Sequence, residues 1–205
     1  MLDNTIRPHL DPLLNAIAKR LAALGMGANG VTWAGFAVGM VAAVAIASGY
    51  LIWGLALLLL SRLADGLDGA VARITGKTDL GGFLDIVLDF AFYGAIPLAF
   101  IWLDPASNAL AGSVLLLAFY VNGASFLTFA LMVEKRGTDE SARGSKSLLY
   151  TTGLAEATET ILAFVLMCLF PHWFAAIAWI FAAITVVTTV ARFRLAYEVF
   201  GKGKA

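Results

Sequence analysis

Among its 205 residues the chain has one cysteine, Cys168, and two histidines. A single thiol excludes an intrachain disulfide, and Cys168 reads as a small apolar packing residue. So few thiols and imidazoles also argue against a zinc or copper centre, which draws on those ligands. Charge is sparse too: 14% of residues are charged, against about a quarter in soluble domains, and 60% are apolar. The 14 basic side chains are balanced by 14 acidic ones. That removes the basic excess with which nucleic-acid binders neutralise phosphates, so no nucleic-acid partner is expected. Internal repeats and low-complexity tracts are also lacking. What is left is the composition of a chain embedded in membrane lipid.

The first segment, MLDNTIRPHLDPLLNAIAKRLAALG, mixes Arg7, Lys19 and Arg20 with Asp3 and Asp11. It lacks the uninterrupted apolar run and small-residue cleavage site of a secretory signal. Leu10, Leu13, Leu14, Ile17, Leu21 and Leu24 recur at helical spacing, while Lys19 and Arg20 fall elsewhere around the axis. The pattern predicts an amphipathic helix lying at the membrane surface.

Six spans follow, at roughly 30–48, 51–72, 82–103, 108–132, 149–170 and 173–193, each long enough for a hydrocarbon core of about 30 Å. Pro97 falls inside the third and predicts a local bend. The expected fold is therefore an all-α integral membrane protein, one domain over residues 1–205, with six transmembrane helices behind an amphipathic juxtamembrane helix. Lysines and arginines occupy alternate connections: 7, 19 and 20; 73 and 77; 135, 136, 143 and 146; 192, 194, 202 and 204. None falls in the turns near 49, 105 or 171. The positive-inside rule then puts both termini and the 73–77 connection in the cytoplasm, a parity that six crossings satisfy. Trp33, Trp53, Trp102 and Trp173 lie near span ends, as interfacial anchors do, and Trp179 lies deeper. Gly35 and Gly39 let a second helix approach closely, either inside one subunit or across a homodimer.

Against this background the stretch DGLDGAVARITGKTDLGGFLDIVLD, residues 65–89, is anomalous. Asp65 and Asp68 are three apart, and Asp85 and Asp89 four apart, so each pair shares a helix face. Antiparallel packing of the two helices would bring all four carboxylates together. Unpaired carboxylates in an apolar span are expensive and repel one another. A divalent cation removes both objections, and an all-oxygen site suits Mg²⁺ or Mn²⁺. Two such ions would hold a diphosphate and stabilise charge developing on a leaving phosphate. Asp79, in the connection, reads as a capping or solvated residue. Gly66, Gly69, Gly81 and Gly82 crowd the same region, each at a helix cost of about 1 kcal/mol relative to alanine. They leave room for a ligand against the backbone or for close helix approach. Arg73 and Lys77 stand ready to neutralise phosphate.

These residues resemble the signature of the CDP-alcohol phosphatidyltransferase family, D-x-x-D-G-x-x-A-R followed by G-x-x-x-D-x-x-x-D. Asp65, Asp68, Gly69, Ala72, Arg73, Gly81, Asp85 and Asp89 match it. Seven residues separate Arg73 from Gly81 where the family usually has eight. Asn29-Gly30-Val31-Thr32 is similar to the N-x-x-T that opens the family's first span, and the likeness extends over nearly the whole chain, closest to a small bacterial inner-membrane branch.

The resemblance implies an inner-membrane enzyme with a cytoplasmic active site. It would transfer a phosphatidyl group from CDP-diacylglycerol to a small polar alcohol and release CMP. It further implies that Asp65, Asp68 and Asp85 hold a first metal, and that Asp89 helps a second and acts as general base. Gly69 and Ala72 would make room for cytidine, Gly81 for close helix approach, Arg73 would bind phosphate, and Asn29 and Thr32 would bind substrate.

For the acceptor, Glu156 and Glu159 in the fifth span disfavour a phosphate and suit hydroxyls or an amine. Lys146 with Arg143, and Arg192 with Arg194, keep a phosphorylated acceptor open. Pairing of a glutamate with Arg62 or Arg192 is the plain structural alternative. Asn122 and Ser125 read as pocket residues or as interhelical hydrogen bonds. A cation transporter or channel, and an inactive scaffold of the same fold, are the competing functions.

Overall fold

The computed structural model describes residues 3–136 and 157–201, with side chains from Asp11 onward. Lys146, Glu156, Arg143 and the start of the expected fifth span therefore lie outside the described residues. Those described form seven α-helices and one 3-10 turn, with no strand. The helices are α1 (Asp3–Ala23), α2 (Ala28–Ala47), α3 (Leu51–Thr75), α4 (Asp79–Leu103), α5 (Pro105–Lys135), α6 (Ala157–Leu169) and α7 (Phe174–Phe200); Pro171–Trp173 is the 3-10 turn.

Helix ends fall where local chemistry stops or starts a helix. α2 closes at Ser48 and Gly49, the glycine taking φ +85°, and α3 closes at Gly76 with φ +102°; both are left-handed positions that suit a residue without Cβ. The α4 cap is Thr78, whose hydroxyl accepts from the Gly81 amide at 3.0 Å. Asp79 is not the cap: it is exposed, the first residue of the helix, where its charge complements the helix dipole. α5 starts on Asp104, which accepts from the Ser107 amide at 3.2 Å, with Pro105 at the first position. Pro97 is buried within an α4 that stays continuous around it.

Among the described residues, α2, α4, α5 and the segment Pro171–Phe200 are long and apolar enough to cross a membrane. α6 is apolar but has 13 residues. α3 has 25 residues, about 38 Å of helix, but Arg62, Asp65, Asp68 and Arg73 break its apolar run. Large apolar side chains such as Trp53, Trp102, Leu110, Leu117, Ile180 and Val187 point outward, the surface a lipid environment requires.

α2 packs along α3 and α4, α5 along α7, and α6 joins α3 to α7. The main core joins Phe92, Ile96 and Phe100 of α4 to Leu115, Phe164, Met167, Phe174 and Phe181. The apolar residues of α1 divide between those packed on the bundle and those left outside. Leu14, Ala18 and Leu21 pack on Val31, Ala70 and Val71, while Leu13, Ile17 and Leu24 stay exposed. The helix is thus docked on α3 and presents only part of its apolar surface outward.

Gly35 and Gly39 are used inside the chain. A Cβ on Gly35 would stand 2.9 Å from the Ala64 Cβ, and one on Gly39 would stand 2.6 Å from the Phe92 ring and 2.8 Å from Ser61 Oγ. The Ser61 hydroxyl donates to the Gly35 carbonyl at 2.8 Å. Close approach of α2 to α3 and α4 explains the pair without a second subunit. Gly39→Ala should lower stability by about 1–3 kcal/mol through overpacking, read as a lower melting temperature in detergent. Gly94→Ala, with nothing within 4 Å of the new methyl, should leave it unchanged or raise it.

Candidate active site

The 3.6-residue period puts Asp65 and Asp68 on one side of α3 and Asp85 and Asp89 on one side of α4, and the short connection turns the helices to face each other. Asp65, Asp68 and Asp85 each offer a carboxylate oxygen, and the three lie within 4.8 Å of one another. Asp68 is buried, and its Oδ2 has no hydrogen-bond donor. Three converging carboxylate oxygens fit a hard divalent cation.

Asp89 stands outside that trio. Its Oδ1 accepts from Arg62 Nη1 at 2.7 Å, and the same nitrogen lies 3.6 Å from Asp65 Oδ1. The Arg62 guanidinium rests 3.8 Å above the centre of the Phe92 ring, with Tyr93 at 5.6 Å. Such a desolvated cation–π contact adds about 1–2 kcal/mol. Arg62 is thus the cation that the acidic pairs require, and an arginine three residues ahead of Asp65 in an otherwise apolar run was its visible signal. Its open assignment as the partner of a glutamate missed the two aspartates.

A cavity of about 530 Å³ opens beside the cluster. Asn29, Thr32, Asp68, Gly69, Ala72, Arg73, Gly81 and Asp85 all line it, and Lys77 and Thr78 extend the rim. Eight residues singled out from sequence therefore share one wall. A Cβ at Gly69 would have only the tip of Arg73 within 4 Å, at 3.9 Å, so the missing side chain leaves open space. At Gly81 it would stand 3.0 Å from Asn29 Oδ1, so that glycine serves the close approach of α4 to α2. Arg73 is exposed and donates to Asn15 of α1 at 3.4 Å. A second, much smaller recess of about 10 Å³ is lined by Thr32, Gly35, Phe36, Ser61, Arg62, Asp65, Asp85, Leu88 and Asp89. Thr32 and Asp85 thus border both spaces.

Glu159 of α6 is half-buried, and neither it nor Arg192 of α7 is among the residues lining these two spaces. Arg192 Nη1 donates to the Asn122 carbonyl at 3.0 Å, to Asn122 Oδ1 at 2.8 Å and to Ser125 Oγ at 2.8 Å. Asn122 and Ser125 are accordingly interhelical hydrogen-bond partners that tie α5 to α7.

The sequence profile of CDP-alcohol phosphatidyltransferases matches residues 26–196. The chain belongs to the CDP-alcohol phosphatidyltransferase family. It is an enzyme of that class. Inner membrane protein YnjF of Escherichia coli K12 is 48% identical over 192 residues, covering 94% of this chain and 93% of that one. The archaetidylinositol phosphate synthase of Methanothermobacter thermautotrophicus is 45% identical over 87 residues, 42% of this chain and 43% of its own. Among solved folds, Mycobacterium tuberculosis phosphatidylinositol phosphate synthase with CDP-DAG bound superposes with a TM-score of 0.74 at 21% identity, covering 95% of this chain and all of that one. The same enzyme with manganese and citrate gives 0.66 at 22% identity, over 90% of this chain and 88% of that one. These structures share the fold.

Asp68→Asn, nearly isosteric, should weaken Mn²⁺ binding by at least about tenfold, since a charged oxygen ligand is lost. Asp79→Asn, at the exposed start of α4, should leave it unchanged. Titration of the purified protein by Mn²⁺ electron paramagnetic resonance reads both.

Proposed function

We propose that this protein transfers a phosphatidyl group from CDP-diacylglycerol to a small polar alcohol and releases CMP. The observation carrying the reading is that Asp68 and Asp85 line one cavity with Asn29, Thr32, Gly69, Ala72, Arg73 and Gly81. That wall combines metal-type ligands, a phosphate-binding cation and side-chain-free space, the three things a nucleoside diphosphate needs. CDP-DAG bound to the structural relative supports the same donor.

In this reading Asp65, Asp68 and Asp85 hold one Mg²⁺ or Mn²⁺, and a second would share Asp89 with Arg62. When bound, such ions neutralise a diphosphate among carboxylates and ease departure of the CMP phosphate. Arg73 and Lys77 pair with donor phosphate oxygens, and the space at Gly69 and Ala72 receives cytidine. Asn29 and Thr32 border the donor from α2. Asp89 accepts the proton of the acceptor hydroxyl as its oxygen bonds to the phosphorus that bears diacylglycerol, and the bond from that phosphorus to CMP breaks. Glu156, Glu159, Lys146 and Arg192 are proposed for acceptor recognition from the sequence pattern alone, Glu159 and Arg192 lining neither cavity.

The chain is placed as a single domain, residues 1–205, in the bacterial inner membrane, the compartment named for its relative. In this reading it crosses six times, as the six spans read from the sequence imply. Alternating basic connections put both termini and the active site at the cytoplasmic face. A homodimer is compatible with this arrangement and is not required by it.

Purified enzyme with CDP-diacylglycerol and Mg²⁺ or Mn²⁺ should release CMP when offered the correct member of a panel of glycerol phosphate, serine, inositol, inositol phosphate, glycerol, ethanolamine and choline. Mass spectrometry of the lipid product identifies the acceptor. Asp89→Asn should lower the rate by about two to four orders of magnitude. Metal-dependent ion flux without CMP release would instead make this a transporter, and absence of both metal and nucleotide binding would make it a scaffold.

A further inference from the structure

Arg62 is held from four directions. Its Nη1 donates to Asp89 Oδ1 at 2.7 Å and lies 3.6 Å from Asp65 Oδ1. Its Nη2 donates to Ser61 Oγ at 3.3 Å, and Ser61 is itself fixed to the Gly35 carbonyl of α2. The guanidinium plane covers Phe92. Only 9% of the side chain is exposed. Its Nε is buried without a hydrogen-bond partner, so stacking and the carboxylates, not full donor satisfaction, set the orientation. Arg62 lines the small recess together with Asp65, Asp85 and Asp89, and is not among the residues lining the large cavity.

From this geometry we propose that Arg62 is a positioning residue and resident counter-cation: it fixes the Asp89 carboxylate for the reaction and, as a permanent positive charge beside Asp65, weakens divalent-ion binding at the Asp65–Asp68–Asp85 trio. The claim rests on the phosphatidyltransferase reading for its effect on rate, but its effect on ion binding stands on geometry alone. The two effects have opposite signs. Removing the charge tightens the ion, because a fixed cation next to one ligand no longer opposes it. Removing the contact frees Asp89 to turn from its working position and slows turnover without a matching change in donor affinity. Loss of folding would weaken ion binding and turnover together.

The experiment compares wild type with Arg62→Gln and Arg62→Lys, each purified in detergent. Mn²⁺ affinity is read by electron paramagnetic resonance, and kcat and KM for CDP-diacylglycerol by CMP release. Arg62→Gln should bind Mn²⁺ at least about threefold more tightly, with kcat down by about tenfold or more and KM little changed. Arg62→Lys keeps the charge but lacks the flat fork that stacks and pairs, so it should bind Mn²⁺ as wild type does while kcat remains reduced. Unchanged or weaker Mn²⁺ binding in a folded Arg62→Gln overturns the counter-cation role. If that variant does not fold, a shift of Mn²⁺ affinity in Arg62→Lys overturns the same point, and full kcat in Arg62→Lys overturns the positioning role. If wild type releases no CMP with any acceptor, the phosphatidyltransferase reading fails, while the Mn²⁺ comparison still decides the counter-cation role.

Discussion

Carboxylates repel, and the repulsion grows as they leave water, so positive charge placed among Asp65, Asp68, Asp85 and Asp89 stabilises the bundle that gathers them. Arg62 is the protein's own share of that charge, bridging Asp65 and Asp89 with its guanidinium against Phe92. Its position depends in turn on how closely α2 lies against α3 and α4. Gly39 leaves the space that the Phe92 ring and Ser61 occupy, and Ser61 reaches back to the Gly35 carbonyl. A larger residue at Gly39 would push on the ring that supports Arg62, and through it on Asp89. Small residues in α2, which carries no catalytic group in this account, thereby set the geometry of acids on two other helices.

The bundle divides its polar residues between two regions. One, on α2, α3 and α4, holds the acidic trio, Arg62 and the large cavity. The other links α5 to α7, where Arg192 is taken up by Asn122 and Ser125, and Thr189 donates to Asn122 Oδ1. Arg192 is buried and donates to three neutral oxygens, which fix the position of the cation. Distributing charge by region, with apolar surface facing outward, is what a low-dielectric surrounding favours.

Much of the donor side could be read from spacing because helices convert sequence intervals into direction. Intervals of three and four aim two acids each from α3 and α4, and one short connection brings the helices face to face, so Asp65, Asp68 and Asp85 converge. The same periodicity could not tell which acid would be captured by a base, since that depends on the rotation of α3 against α4 and on the Phe92 ring. Asp89 is therefore apart from the trio, paired with Arg62. Periodicity also failed to separate the two faces of α1: Leu14, Ala18 and Leu21 dock on α3 while Leu13, Ile17 and Leu24 remain outside. Leucines that dock on protein and leucines that face lipid have the same side chain, so only the partner surface distinguishes them. Gly35 and Gly39 carried the same ambiguity between an internal and an external partner.

The shortened connection between Arg73 and Gly81 raises a sharper question, whether one residue fewer turns Arg73 away from the site. Removing a residue from within a helix would rotate everything beyond it by about 100°. Between Arg73 and Gly81, Gly76, Lys77 and Thr78 lie outside both helices, so a change of length there rotates neither. α3 ends at Gly76, whose φ of +102° reverses the chain, and α4 begins afresh on the Thr78 cap, whose hydroxyl holds the Gly81 amide. A connection of Gly76, Lys77 and Thr78 can change in length while each helix keeps its own phase. Arg73 consequently still lines the cavity with Gly69 and Ala72 on one side and Gly81 and Asp85 on the other. Phase within each helix, set independently by its own cap, is what lets the connection vary without moving the site.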